Sequence, residues 1–203
     1  NNAAPYNYVN KNNEVVGESV EIVKRVLKIT GSTKTTKDII ALPWTEAYNN
    51  ALNNKNYALF AAARITEREK LFKWAGPILG DKIVIFSKKS NNIKLENLND
   101  LMKYKVAAIK NEVAQQLVAS AVKDLKFSFA VDTKDNLNKL NAGAIDLIVT
   151  DASMINYLVK SSGLNPDDYE SIYTVKEVKM WIAFNPLTSD ALVQMVQTAL
   201  DKK

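Results

Sequence analysis

The sequence predicts an α/β fold built on a mostly parallel sheet, and three observations carry that expectation. Helical and strand patterns alternate along the chain, and the strand-length apolar runs are continuous, as in strands covered on both faces. Gly and Pro fall between the patterned segments, where turns belong. "GESVEIVKRVLKITG" places Val20, Val23, Val26 and Leu27 on one helical stripe and stops at Gly31, which suits a left-handed C-terminal cap. "KDIIALP" then reads as a buried strand. A short helix over Thr45 to Leu52 follows Pro43, and "YALFAAA" and "KIVIFSK" are strands. "YKVAAIK", "FSFAV" and "AIDLIVT" are strands too, separated by helices at 112–123 and 134–142, the second ending at Gly143. A helix over 152–160 closes at Gly163. "MWIAF" is a late strand, and "SDALVQMVQTALDKK" is a final amphipathic helix with Leu192, Val196 and Leu200 in register.

Composition narrows the chemistry. With 203 residues and 47% hydrophobic content the chain buries a full core, as one large domain or two lobes. It contains no Cys and no His. That excludes disulfides, thiolate or imidazole metal sites and histidine-dependent catalysis, and no metal or cofactor is expected. No apolar run is long enough to span a membrane, and no basic-then-apolar segment opens the chain; if the protein is exported, its signal segment lies outside these residues. The net charge of +5 comes with scattered lysines, so nucleic acid is not an expected partner.

One internal echo bears on organisation. "ALNNKNYALFAA" and "KLNAGAIDLIVT" share the order helix end, Leu-Asn, turn, apolar strand, and lie about 88 residues apart. Either two similar lobes explain it, or it is the ordinary appearance of helix-to-strand junctions in α/β proteins.

The order "PYNYVNKNNEVVGESVEIVKRVL", "LPWTEAYNNALNNKNYALFAAARITEREKLFKWAGPI", "KYKVAAIKNEVAQQLV" and "AGAIDLIVTDASMINYLV" resembles the extracytoplasmic solute-binding proteins of polar amino-acid uptake, family 3. The likeness is specific at Arg-x-x-Glu-Arg-Glu and at Val-Thr-Asp-Ala, and ordinary elsewhere. It implies a two-lobed, type II periplasmic-binding-protein-like fold, with two crossing strands ("KIVIFS" and "KMWIAF") joining lobes at 1–84 plus 181–203 and at 85–180. The lobes would close over a ligand held in the cleft.

The resemblance also implies site residues. Arg68 matches the arginine that grips a ligand carboxylate, with Trp74 six residues on where the family has an aromatic; a guanidinium offers a two-pronged donor that Lys lacks. Without the family, Arg64, Glu67, Arg68, Glu69 and Lys70 read equally as a solvated charged turn, and Arg64 as a rim charge. Asp151 matches the acid that pairs with an α-amino group, although an Asp at a strand-to-helix junction is also an ordinary N-cap. Trp44 matches an aromatic stacked on the ligand, and Tyr6 lies in the entry segment; Trp74 and Trp181 read as core or hinge packing.

Departures from the family pattern are equally informative. Asn111, Glu112 and Val113 stand where the family has Gly-Ser/Thr-Thr, and Ala63 where it has Ser or Thr, so two ligand-facing hydroxyls are missing. Glu112 could cap the following helix, repel an anionic ligand, or reach Arg64 or Arg68. The family's first strand has no counterpart before "PY", and its final helix normally continues past Lys203. The expected function is capture of a small polar, amino-acid-like solute by a monomeric extracytoplasmic protein, without catalysis, and delivery to the membrane permease of an ABC transporter. The alternatives are the sensor domain of a membrane signalling protein and a dehydratase-like enzyme.

Overall fold

The computed structural model describes residues 3–202, and these form two compact units, Asn1–Gly80 with Val178–Lys203 and Asp81–Glu177. In chain order the elements are β1 (Tyr8–Val9), β2 (Val15–Val16), α1 (Glu18–Ile29), α2 (Trp44–Asn53), β3 (Ala58–Ala63) and β4 (Lys73–Lys88). Next come β5 (Val106–Ile109), α3 (Val113–Ala121), β6 (Phe127–Ala130), α4 (Thr133–Asn141), β7 (Leu147–Asp151), α5 (Ala152–Ser161), β8 (Tyr169–Phe184) and α6 (Asp190–Asp201). The chain is α/β, as its alternating pattern predicts. Both β4 and β8 are 16 residues long, and each runs from one unit into the other.

In the first unit β3 pairs antiparallel with the end of β8, Ala58 opposite Phe184 and Ala63 opposite Met180. The register slips between Leu59 and Ala62, where Ala61 takes a φ of 54°, the signature of a bulge. Two apolar clusters fill this unit. Val26 of α1 and Val196 and Ala199 of α6 meet Ala75, Ile182 and Phe184 on the strands, while Trp44 and Ala51 of α2 meet Leu59, Ala62, Phe72 and Ala183. The apolar stripe read in α1 is therefore what buries that helix. Gly17 enters α1 with φ 128°, and a Cβ there would lie 2.3 Å from the Tyr6 carbonyl oxygen. That oxygen accepts hydrogen bonds from the Ser19 N–H (2.9 Å) and Oγ–H (2.6 Å), so only glycine lets the two segments approach.

In the second unit β5 pairs parallel with both β6 and β7, and β4 pairs antiparallel with β7, Ile83 opposite Asp151. Phe86, Ala107, Ile148, Leu137, Leu140 and Ile155 close the core between this sheet and helices α4 and α5. The parallel pairing expected from the continuous apolar runs appears here. Each crossing strand also has an antiparallel partner, β8 beside β3 and β4 beside β7, so the sheet is mixed. The Leu-Asn echo has a counterpart in this topology: α2 leads into β3 and α4 into β7, and each of these strands lies antiparallel to a crossing strand.

One expected strand does not form. Ile39–Leu42 of "KDIIALP" follows a short 3-10 turn, and Ile40 is 64% exposed. The segment has extended dihedrals at Ile39 but no ladder among the described residues, and an apolar run becomes a strand only with a partner for its backbone.

Candidate functional site

Apolar β3 delivers the chain to buried Ile65, and the 3-10 turn Thr66–Arg68 follows, with the Arg68 N–H donating to the Ile65 carbonyl at 3.0 Å. The turn does not leave Arg68 to solvent, and the residue is 1% exposed. Its guanidinium carbon lies 4.9 Å from the Trp44 ring centre and 5.5 Å from that of Tyr48. Nη1 donates to the carbonyl oxygen of Ala63 at 3.4 Å. Trp44 and Tyr48 are four residues apart on α2 and so share one face, with ring centres 5.7 Å apart. Tyr48 in turn meets Phe72 edge-on at 5.2 Å, and Phe72 meets Trp74 at 5.6 Å. Burial raises the Tyr48 hydroxyl above its ordinary pKa, partly opposed by the Arg68 charge. The solvated-turn description fits exposed Glu67, Glu69 and Lys70, but not Arg68.

Arg64 has a different environment. Its Nε and Nη2 donate to the two carboxylate oxygens of Glu69 at 2.8 and 2.5 Å, a two-pronged pair. The guanidinium carbon lies 4.7 Å from the Trp181 ring centre and 5.9 Å from that of Trp74, and Trp74 Nε1 donates to the Glu69 carbonyl at 3.2 Å. The Arg64 bond holds the Glu69 carboxyl below its usual range, and Glu69 raises Arg64 in return. Gly76 lets the Trp181 ring pack here, since a Cβ at its φ of 143° would come within 3.0 Å of that ring. The fork of Arg64 is thus engaged by a side chain five residues away.

In the second unit, Asp151 is the last residue of β7 and the residue before α5, and it is buried. It does not cap that helix with its side chain. Asp81 of β4 does so instead, accepting from the Ser153 N–H at 3.2 Å and the Ser153 Oγ–H at 3.1 Å. Glu112 precedes α3 in the same way and likewise makes no side-chain cap, which corrects one of the roles open to it. Asn111, at φ 64°, turns the chain into the helix, and its N–H donates to Gln115 Oε1 at 3.2 Å. Val113 is buried as the first helical residue. Tyr6 is buried at the start of the first unit, tied through its carbonyl to Ser19.

The fold therefore brings Arg68, Trp44 and Ala63 together in the first unit, and places Asp151, Glu112 and Val113 at two strand-to-helix junctions of the second. Sequence reasoning missed Tyr48, although its spacing from Trp44 put it on the same helical face. It also missed the Arg64–Glu69 pair and Asp81, whose partner is distant in sequence.

Residues 1–126 match the family of bacterial extracellular solute-binding proteins, family 3. The chain belongs to that family. No curated protein is significantly similar to it in sequence. Among solved structures, truncated ArgBP from T. maritima in its arginine-bound form is 19% identical, with a TM-score of 0.83 over 98% of this chain and 91% of that one. An ABC uptake transporter substrate-binding protein from Streptococcus pneumoniae with bound histidine is 16% identical, with a TM-score of 0.83 over 98% and 81%. A histidine kinase sensor domain with similarity to periplasmic binding proteins is 17% identical, with a TM-score of 0.86 over 98% and 85%. These likenesses establish the type II periplasmic-binding-protein fold.

Proposed function

We propose that this family member captures a small polar, amino-acid-like solute outside the cytoplasm and passes it to the membrane permease of an ABC transporter, without catalysing a reaction. The observation that carries the reading is Arg68. A guanidinium held away from water between two aromatic faces is costly to keep for packing alone, and it stands where the family grips a carboxylate. In this reading Arg68 takes the ligand carboxylate, Asp151 takes an ammonium group, and Trp44 and Tyr6 contribute aromatic surface. Arg64, occupied by Glu69, orders the turn that presents Arg68. Ala63, Glu112 and Val113 replace family hydroxyls and shift specificity without abolishing the carboxylate grip.

The lobes, at 1–84 with 181–203 and at 85–180, close over the ligand on the crossing strands. Native mass spectrometry of protein purified without refolding, followed by calorimetry against the free L-amino acids, tests the proposal. A co-purified or titratable amino acid supports it, and a chain that carries none and binds none overturns it. Small-angle scattering with the bound amino acid should show compaction.

A second reading, a ligand-sensing domain of a membrane signalling protein, is favoured by the TM-score of 0.86 to the kinase sensor domain. A kinase-type module encoded in the same gene would select it over transport.

A further inference from the structure

In the second unit β6 is the last strand of the sheet, and among the described residues it pairs with β5 alone. Its outer side is a sheet edge, which proteins ordinarily blunt or cover. Here the edge is apolar. Phe127 and Phe129, two residues apart, share one face with ring centres 6.0 Å apart; Phe129 is 47% exposed and Val131 85%. That face is the one of Val106 and Ala108, whereas α4 covers the other, where Leu137 and Leu140 meet Ala107. The guard is light: Lys139 Nζ donates to the Phe129 carbonyl at 3.3 Å and pairs with Asp135 at 2.9 Å. Exposed Lys126 precedes the apolar residues and exposed Asp132 follows them, so the edge reads Lys-Phe-Ser-Phe-Ala-Val-Asp. Asp132 holds extended dihedrals, φ −153° and ψ 173°, and its Oδ1 accepts from the Asp135 N–H at 2.7 Å.

From this edge we infer that a second copy of this chain docks on β6, antiparallel about a twofold axis at Phe129, as a weak homodimer. Side chains alternate between faces with period two, so a twofold pairing keeps the phenylalanines on a common face only when its axis passes through a residue. Charge then selects among the axes near the middle of the strand. An axis at Ser128 brings Asp124 toward Asp132 of the second copy, and one at Ala130 brings Lys126 toward Lys134. The axis at Phe129 sets Lys126 opposite Asp132 on both sides, Phe127 opposite Val131, and Phe129 opposite itself. Opposite charges facing across strands stabilise and like charges destabilise, so the Phe129 axis is preferred. The segment is complementary to itself in both charge and apolar pattern, which commits the edge to its own copy.

Sedimentation velocity of the wild type from micromolar to millimolar protein should show a concentration-dependent dimer. Lys126→Glu and Asp132→Lys each set like charges opposite one another, and each should weaken it about tenfold or more. Mixed in equal amounts, the two variants should form a heterodimer near wild-type strength, because every facing pair is again opposite in sign. The chain contains no Cys, so one introduced thiol reports one contact. Opposed Cα atoms in an antiparallel pair lie about 4.5–5.5 Å apart, within the span of a disulfide. Phe129→Cys should therefore cross-link to its own copy under mild oxidation. Ser128→Cys and Ala130→Cys, each about 8 Å from its own copy, should cross-link far less. Asp132→Lys also removes the side-chain cap of α4, so melting midpoints accompany the series; if that variant does not fold, Lys126→Glu and the thiol variants decide alone. A wild type that stays monomeric throughout, a dimer indifferent to the charge variants, or equal cross-linking at the three thiol positions would overturn the inference, whatever solute the protein binds.

Discussion

Exchange of Arg68 for Met separates the two roles that a buried guanidinium can have. Met fills much of the same space with an unbranched, adaptable side chain, but it has neither charge nor fork. At 1% exposure the ionised Arg68 bears a desolvation penalty of several kcal/mol. Two cation–π contacts, to Trp44 at 4.9 Å and Tyr48 at 5.5 Å, contribute about 0.5–2 kcal/mol each. The long bond to the Ala63 carbonyl adds about 0.5–1 kcal/mol. On the reading that Arg68 is kept for the ligand rather than for packing, Arg68→Met should unfold within about 1 kcal/mol of wild type in denaturant. Binding should respond quite differently. Removing one partner of a desolvated, two-pronged pair costs about 2–5 kcal/mol, or about 30- to several thousand-fold in affinity. Arg68→Lys keeps the charge without the fork and should fall between Arg68→Met and wild type. Paired denaturant titration and calorimetry with the amino acid that wild type binds decide the matter. A Met variant that loses more than about 3 kcal/mol of stability yet binds as wild type would show that Arg68 is a structural cation, and the carboxylate role would be refuted.

Three further outcomes follow from local geometry. Glu69 is held below its ordinary carboxyl pKa by Arg64, so the stability it contributes is complete above that ordinary value and is lost as the pH falls through the lowered folded one. Wild type and Glu69→Gln should therefore differ in melting midpoint at neutral pH and converge in acid; a gap that persists in acid would refute the pairing. Gly17→Ala meets the Tyr6 carbonyl and an unsuitable φ, and should lose more than about 1 kcal/mol in thermal or denaturant unfolding. Asn185 donates through Nδ2 to the carbonyls of Ala51 and Leu52 (3.0 and 2.9 Å) and accepts the Leu187 N–H at 2.9 Å, all around a buried side chain. Asn185→Ala should cost about 2–4 kcal/mol, and unchanged stability would mean that water replaces all three bonds.

The helices were legible because each carries its own period: the stripe of α1 and the Leu192, Val196 and Leu200 row of α6 are local patterns that the fold has only to bury. Strand cores such as Val106–Ile109 and Leu147–Asp151 were legible as apolar runs, and family likeness singled out Arg68 and Asp151. Strand extent was not legible. "KIVIFSK" and "MWIAF" are the visible ends of β4 and β8, whose remaining residues include Gly76, Pro77, Gly80 and several charges that read as turn or surface. "KDIIALP" looks more like a strand than either of those remainders, yet forms none, since a strand is defined by the partner that takes its backbone hydrogen bonds.

Whatever is encoded over a few consecutive residues is readable without the fold: the α/β class, the helix faces, the absence of thiol and imidazole chemistry, and the Arg-x-x-Glu-Arg-Glu signal. Packing between distant segments selects which of two neighbouring arginines is buried and which is held by Glu69, because four residues of turn geometry place Arg68 against Trp44 and leave Arg64 on Trp181. Only it decided that Asp81 rather than Asp151 caps α5, because that exchange depends on the register between two strands more than sixty residues apart in the chain. Side-chain charge is a property of the residue, but its burial and its partner are set by pairing between distant segments, which no local pattern records.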